Sequence, residues 1–336
     1  MENHTNRKPV LIYVLAALVA VWGILGLMDS KNYTWAGYDT DGNNTVIRVQ
    51  EGSPAEAAGL QVGDYMFSID GISMNDSKAW EKKARPEIGE TRTFLIERDK
   101  EEVELGLTYA ALEGKNKTLN YVGFALGLIF LLCGLWIFAS TRSKAGFIFT
   151  LVGIFFASAF FNGPYFQAPA MRGFFGYLDF TFLMAAFAML AYFMLQFPSP
   201  RQILEKKSAA FWIAGPAVLL AIVVLVLEIM DPDASSTIRT TMRILVALVV
   251  LYYFGWALLT MFRQYGAHSA EARGAKGLNL LLVGAVLGLL PILLVVVIGA
   301  IAPKLVIPGE DYAFIFLGLI PILFALAIRK SEAASA

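Results

Sequence analysis

"EGSPAEAAGLQVGDYMFSIDG", residues 51–71, strings together caps, turns and a strand in a chain that is otherwise strongly apolar. Ser53-Pro54-Ala55-Glu56 reads as a capping box: a serine N-cap, proline at the first helical position, glutamate three residues after the cap. Gly59 supplies a left-handed stop, so the predicted helix is one turn long. Gly63-Asp64 turns the chain into a strand, Tyr65 to Ile69, expected to place Tyr65, Phe67 and Ile69 on one face. Asp70-Gly71 signals a tight turn. Further out, a short helix is predicted over about 77–84, capped by Asp76 or Ser77. "TRTFLIERD" and "EEVELGLTY" then alternate as two strands around Asp99-Lys100. Together these elements make a β-rich unit of about 75 residues, near the lower limit for independent folding.

The surroundings are of another kind. Of 336 residues, 57% are hydrophobic and 16% charged, against about 25% charged in an average globular domain. With a mean hydropathy of +0.61, the chain belongs among polytopic membrane proteins. Zero formal net charge points away from a nucleic-acid surface. A single cysteine, Cys133, excludes an intrachain disulfide, and the only histidines are His4 and His268.

A membrane-crossing helix takes about 20 apolar residues, because each rises 1.5 Å through a core roughly 30 Å thick. Eight stretches fit: 10–28, 119–139, 145–163, 176–197, 209–229, 241–262, 278–302 and 312–328. With the N-terminus inside, the inner segments carry Arg7, Lys8, Arg142, Lys144, Arg201, Lys206, Lys207, Arg263, Arg273, Lys276, Arg329 and Lys330. Short outer loops hold Arg172, Arg239 and Lys304, accompanied by Asp231, Asp233, Glu310 and Asp311. This asymmetry follows the positive-inside rule. It predicts a multi-pass protein of the plasma (inner) membrane with both termini cytoplasmic. The first span reads as an uncleaved anchor, since it exceeds a usual signal h-region and "GLMDS" lacks a small-x-small cleavage site. A cleaved signal peptide is the other reading. The expected organisation is therefore an anchor (1–29), an extracytoplasmic β-rich domain (30–115), a seven-helix region (116–330) and a short tail (331–336). Gly123 and Gly127, and Gly284 and Gly288, form GxxxG patterns that allow close helix approach. Pro216, Pro291 and Pro321 fall inside helices, where neighbours must satisfy the freed carbonyls.

"VIRVQEGSPAEAAGLQVGDYMFSIDG" with "IGETRTFLIERDKEEVELGL" resembles a PDZ domain of the bacterial type over about residues 35–109. The fold class is then an α-helical polytopic membrane protein of eight spans with an inserted small α+β PDZ domain. PDZ domains bind peptides by strand addition, a loop of backbone amides capturing a terminal carboxylate. The resemblance implies that Trp35, Ala36, Gly37 and Tyr38 form that loop and that Tyr38 to Thr40 is the pairing strand. Trp80 and Ala84, on the later helix, would flank the groove. Asp41-Gly42-Asn43-Asn44 interrupts the pairing strand, so a purely structural PDZ fold is the alternative. The texture of "ARGAKGLNLLLVGAVLGLLPILL" and "LGLIPILFALAIRK" resembles the seven-helix membrane sensor region of bacterial signalling proteins. In those proteins a histidine-kinase or phosphatase output domain follows; none is expected after Lys330 here.

No catalytic constellation emerges. A zinc protease needs HExxH or an equivalent histidine pair, and a periplasmic Ser-His-Asp triad needs an outer histidine. The predicted spans contain no lysine for a Ser-Lys dyad. No enzyme, metal or cofactor is therefore expected, and His268 reads as a solvated loop residue. Asp179, Glu228, Arg243 and Asp311 lie near the outer ends of spans. They are either snorkelling interfacial charges or an outer vestibule beneath the PDZ domain. The sequence points to a non-enzymatic sensor or adaptor that binds an extracytoplasmic protein or peptide, with the lipid bilayer and no nucleic acid among its partners. A regulatory subunit of a separate membrane protease, histidine kinase or phosphatase is the first alternative, and a small-solute transporter the second.

Overall fold

The computed structural model describes residues 7–41, 43–112, 114–230, 236–301 and 309–334. His4, Gly42, Asp231, Asp233 and Lys304 therefore lie outside the described residues. Helix α1 (Arg7–Asp29) leads into the β-rich region. This holds β1 (Thr34–Trp35), β2 (Tyr38–Thr40), β3 (Val46–Val49), α2 (Pro54–Ala57), β4 (Tyr65–Ile69), β5 (Ile72–Ser73), α3 (Ser77–Lys82), β6 (Thr91–Arg98), β7 (Glu101–Thr108) and β8 (Ala110–Ala111). Four strands form an antiparallel sheet in the order β5-β4-β6-β7; β2 pairs with β3, and β1 with β8, each antiparallel.

The quoted motif folds as its residues dictate. Ser53 Oγ accepts the Glu56 amide at 3.1 Å, while the Glu56 carboxylate reaches back to the Gly52 amide at 2.6 Å. Gly59 ends the turn at φ +83°. Asp70-Gly71 and Asp99-Lys100 close hairpins with positive φ at both central residues, the geometry that matches strand twist. One expected face is corrected. Met66 pairs with Ile96 and Ser68 with Leu95, which leaves Phe67 as the extra residue of a β-bulge. The bulge absorbs one residue of the alternation. Met66 and Ile69 consequently enter the core, and Tyr65 packs edge-on against Phe67 instead. Val46, Ala55, Leu60, Phe94, Ile96 and Leu107 complete that core.

Seven helices are long and apolar enough to cross a membrane, one fewer than the eight spans expected. They lie in α1, α4 (Gly114–Ser140), α6 (Pro169–Gln196), α7 (Ala209–Met230), α8 (Ser236–Gly266), α10 (Leu278–Ile301) and the last helical segment, Glu310–Ala333, whose regular part is α11 (Leu319–Ala333). A short α9 (Ala270–Ala275) precedes α10. The difference is the predicted span 145–163. It forms α5 (Lys144–Phe160), a helix of 17 residues, or about 26 Å at 1.5 Å per residue, short of a roughly 30 Å core.

Close backbone approach shapes the helical region. A Cβ on Gly153 of α5 would lie 2.5 Å from the Phe130 carbonyl of α4, and one on Gly127 would meet the Phe161 ring at 2.5 Å. Thr150 Oγ1 donates to the Gly134 carbonyl across the same contact at 2.9 Å. The proline expectation also has a concrete counterpart. Pro216 leaves the Trp212 carbonyl without its helical donor, and the Tyr252 hydroxyl of α8 donates to it at 3.1 Å. The neighbouring Tyr253 hydroxyl donates to Ile213 O and accepts from the Ala217 amide.

Candidate functional site

The expected four-residue loop shortens to Ala36-Gly37, because Trp35 ends β1, paired with Ala110, and Tyr38 begins β2, paired with Val49; the turn between them is fixed by backbone geometry. Gly37 is buried at φ +82°, and a Cβ there would stand 2.2 Å from the Ser53 Cβ. Only glycine fits that approach. The Ala36 carbonyl accepts the Ala55 amide at 2.9 Å, and the Gly37 carbonyl accepts the Gln50 amide at 2.8 Å. Among the described residues, the Ala36 and Gly37 amides have no acceptor. β2 pairs with β3 along one side only, and its other edge has no partner among the described residues. The strand is three residues long, with a register shift between Asp39 and Thr40. Beyond it, Asp41 Oδ1 accepts the amides of Asn43 and Thr45, closing a turn.

Tyr38 and Trp80 pack against the same apolar core. The Tyr38 ring meets Phe94 edge-on at 5.9 Å. Burial, reinforced by Tyr109, pushes its hydroxyl well above the ordinary tyrosine range. The Trp80 indole N–H donates to the Ser73 carbonyl at 2.8 Å. Ala84 falls outside the helix expected to carry it: α3 stops at Lys82, Lys83 is extended, and Ala84 is exposed. Pro86 keeps its neighbour Arg85 out of the helical conformation, and the helix stops earlier still, with Lys83 already extended.

Two carboxylates hold this half of the domain. Asp64, buried to 2% exposure, receives Arg98 Nε at 2.8 Å, Arg98 Nη2 at 2.7 Å and the Gln61 amide at 2.8 Å. Burial alone would raise its pKa, but the Arg98 bonds, the Gln61 amide and the Arg98 charge together hold it below the usual carboxylate range. At the other end, Asp70 accepts the Thr93 amide at 2.8 Å and Lys83 Nζ at 2.5 Å. Its pKa also stays low: burial raises it, and Lys83, the Thr93 amide and Arg92 outweigh that effect.

The segment after α3 is pinned from both sides. On the domain side, Asp70 holds the Lys83 ammonium and Arg92 Nη2 donates to the Ala84 carbonyl at 3.0 Å. From the helices, Arg172 Nη2 donates to the Lys83 carbonyl at 3.2 Å and the Tyr165 hydroxyl to the Pro86 carbonyl at 2.9 Å. Arg85 lies over the Tyr165 ring at 4.8 Å. Two further ties close the seat: Tyr33 donates to the Gly163 carbonyl at 2.5 Å, and Asp29 accepts the Tyr165 amide at 2.6 Å. Tyr165, Arg85 and Asp29 were not singled out from sequence. The available signal was an aromatic pair after Gly163-Pro164, in a loop between two apolar helices.

The four outer charges do not share one cavity among the described residues. Asp179 lines a cavity of about 320 Å³ between α1, α5 and α6. Asp311 forms an ion pair with Lys115 at the start of α4. The side chains of Glu228 and Arg243 lie outside the described part of the structure. His268 contacts the Gln264 carbonyl and Lys276.

This is a small β-rich domain seated on a set of membrane-capable helices. Comparison with protein families matches residues 45–98 to the PDZ domain. The chain therefore carries a PDZ domain there, while the loop Trp35–Tyr38 and β2 precede the matched segment. No curated protein matches the chain.

Proposed function

We propose that the protein is a non-enzymatic membrane adaptor whose PDZ domain takes up an extended peptide segment, preferably one with a free C-terminus, along the open edge of β2. The carrying observation is the turn between Trp35 and Tyr38: a glycine that nothing else can replace, two amides that have no acceptor among the described residues, and beside them a strand paired along one side only. A free carboxylate offers such amides charge-assisted bonds, and the strand edge offers a few more. Three residues of strand set the scale at micromolar affinity or weaker, about −8 kcal/mol or less in magnitude.

The proposed boundaries are 1–29 for the anchor, 30–115 for the PDZ domain, 116–330 for the helices and 331–336 for the tail. α5 supplies the eighth crossing in this reading. Its first turns pack beside the end of α4, with Phe147 against Phe138, and its last turn lies beside Gly23 of α1 and Gly127 of α4. It thus runs through the same slab as two full-length helices. With eight crossings, the Lys/Arg asymmetry supports a PDZ domain outside the cytoplasm of a plasma (inner) membrane of bacterial type, with both termini inside. Binding would be passed to the helices through Lys83–Pro86 and Tyr165, making the protein a sensor for a separate kinase, phosphatase or membrane protease.

Selection from a library of free C-terminal peptides on the full chain in nanodiscs tests the binding step. Amidating a selected peptide should weaken it about tenfold or more, the loss of a charge-assisted bond. Equal binding of acid and amide would remove the terminus-reading role and leave a structural PDZ fold.

A further inference from the structure

Four residues on one face of α1, at spacings of three and four, face a matching set on α6. Leu15, Leu18, Val19 and Trp22 stand on one side of the cavity, and Phe175, Leu178, Asp179 and Phe182 on the other. At about 320 Å³, it holds roughly ten water volumes, or a short hydrocarbon chain with a small polar head. Asp179 is its acidic group, and among the described residues it has neither an ion pair nor a hydrogen-bond partner. A carboxyl at membrane depth is costly when left alone and ordinarily meets a cation or a wet cavity. Beside it, Trp22 packs on Phe175 at 4.6 Å, and Phe175 on Phe166 at 4.8 Å. Aromatic walls of this kind stabilise ammonium groups.

We propose that this cavity takes the ammonium end of an amphiphile, with the ammonium on Asp179 and the hydrocarbon along the apolar faces of α1 and α6. Apolar lining satisfies the tail, the carboxylate satisfies the charge, and an anionic headgroup is disfavoured by Asp179. Phe166 follows Tyr165 directly and stacks on the lining residue Phe175, so the loop that seats the PDZ domain packs against the outside of the cavity wall. The inference does not depend on the peptide groove, and its test involves no peptide.

Dicyclohexylcarbodiimide reacts with protonated carboxyls at apolar depth and serves as the reporter. The full chain in phosphatidylglycerol nanodiscs, whose headgroup carries no ammonium, should acquire an adduct that peptide mapping assigns to Asp179, and Asp179→Asn should lose it. Dodecylammonium, below its micelle concentration, should slow labelling about fivefold or more by holding the carboxylate ionised, while dodecanol at equal concentration should not. Leu18→Trp, which fills the cavity, should cancel the protection by the amine. Nanodiscs containing phosphatidylethanolamine distinguish the sources. Protection without added amine identifies a lipid headgroup, and protection by dodecylammonium alone identifies a free amphiphile. Absence of an Asp179 adduct, or equal protection by dodecanol, would overturn the proposal.

Discussion

In the PDZ domain a buried carboxylate, Asp64, gathers two arginine bonds and a backbone amide. In the helical region the comparable tight spot is a bare glycine, Gly153, against the Phe130 carbonyl. The contrast follows from the surroundings. A small domain in water gains specificity from local turn chemistry and satisfied polar groups. Helices among lipid tails gain little from apolar burial against one another, so close backbone packing and rescued carbonyls carry the fold. The two regions should therefore fail in different ways when altered.

The largest effect is expected from Gly153→Leu. Its first side-chain atom already meets backbone at 2.5 Å, so α4 and α5 must separate, at about 3 kcal/mol or more. Melting of the purified full chain should collapse for this variant. Gly176→Leu, where a Cβ meets nothing within 4 Å, should leave melting almost unchanged. Equal losses at the two sites would break the claim that close packing is specific to the α4–α5 contact.

Next comes Asp64→Asn, which strips Arg98 of its charged partner at a largely buried site. A loss of about 2–3 kcal/mol is expected, confined to the PDZ domain, and hydrogen exchange at β4 and β6 would read it. The sign of the pH dependence is fixed. Both Asp64 and Asp70 have folded pKa values below the ordinary 3.8. Their stabilisation is therefore complete above about pH 5 and is lost as pH falls through the lower folded values. Asp64→Asn should flatten that acid loss. If the variant and the wild-type chain lose protection in parallel between pH 5 and pH 3, the ion pair is not what holds the motif.

Smaller still is Tyr165→Ala, which removes the bonds to Pro86 and Thr34 and the platform under Arg85. Exchange at the amides of Lys83, Ala84 and Arg85 should quicken by about tenfold while the β4–β6 core stays protected. The smallest change is Gly59→Ala. Space around the site is open, so only the left-handed backbone is strained, at about 1 kcal/mol. A collapse of the domain on this substitution would contradict that reading.

The same contrast explains what was legible in the sequence. Ser53-Pro54-Ala55-Glu56, Gly59 and the two hairpin turns act through neighbours one to four residues away, so they could be read directly. The Phe67 bulge could not, because it depends on register with β6, some thirty residues onward. α3 ended at Lys82, before the Ala84 that the apolar spacing from Trp80 suggested as a helical residue. Apolar length announced the helices but overcounted those of membrane-crossing length by one, because the expected span 145–163 folds as α5, a helix of 17 residues. Nothing local marked Tyr165 or the Asp179 cavity, since both arise where distant segments meet.

Hydrogen exchange on the full chain in nanodiscs, with and without a selected free-carboxylate peptide, tests the central claim that the PDZ domain reads peptides and passes the event to the helices. Slower exchange is expected at residues 36–40, together with a change at 161–168. In Tyr165→Ala the first effect should remain and the second should disappear. No change at 36–40, or a change at 161–168 that survives loss of Tyr165, would contradict that claim.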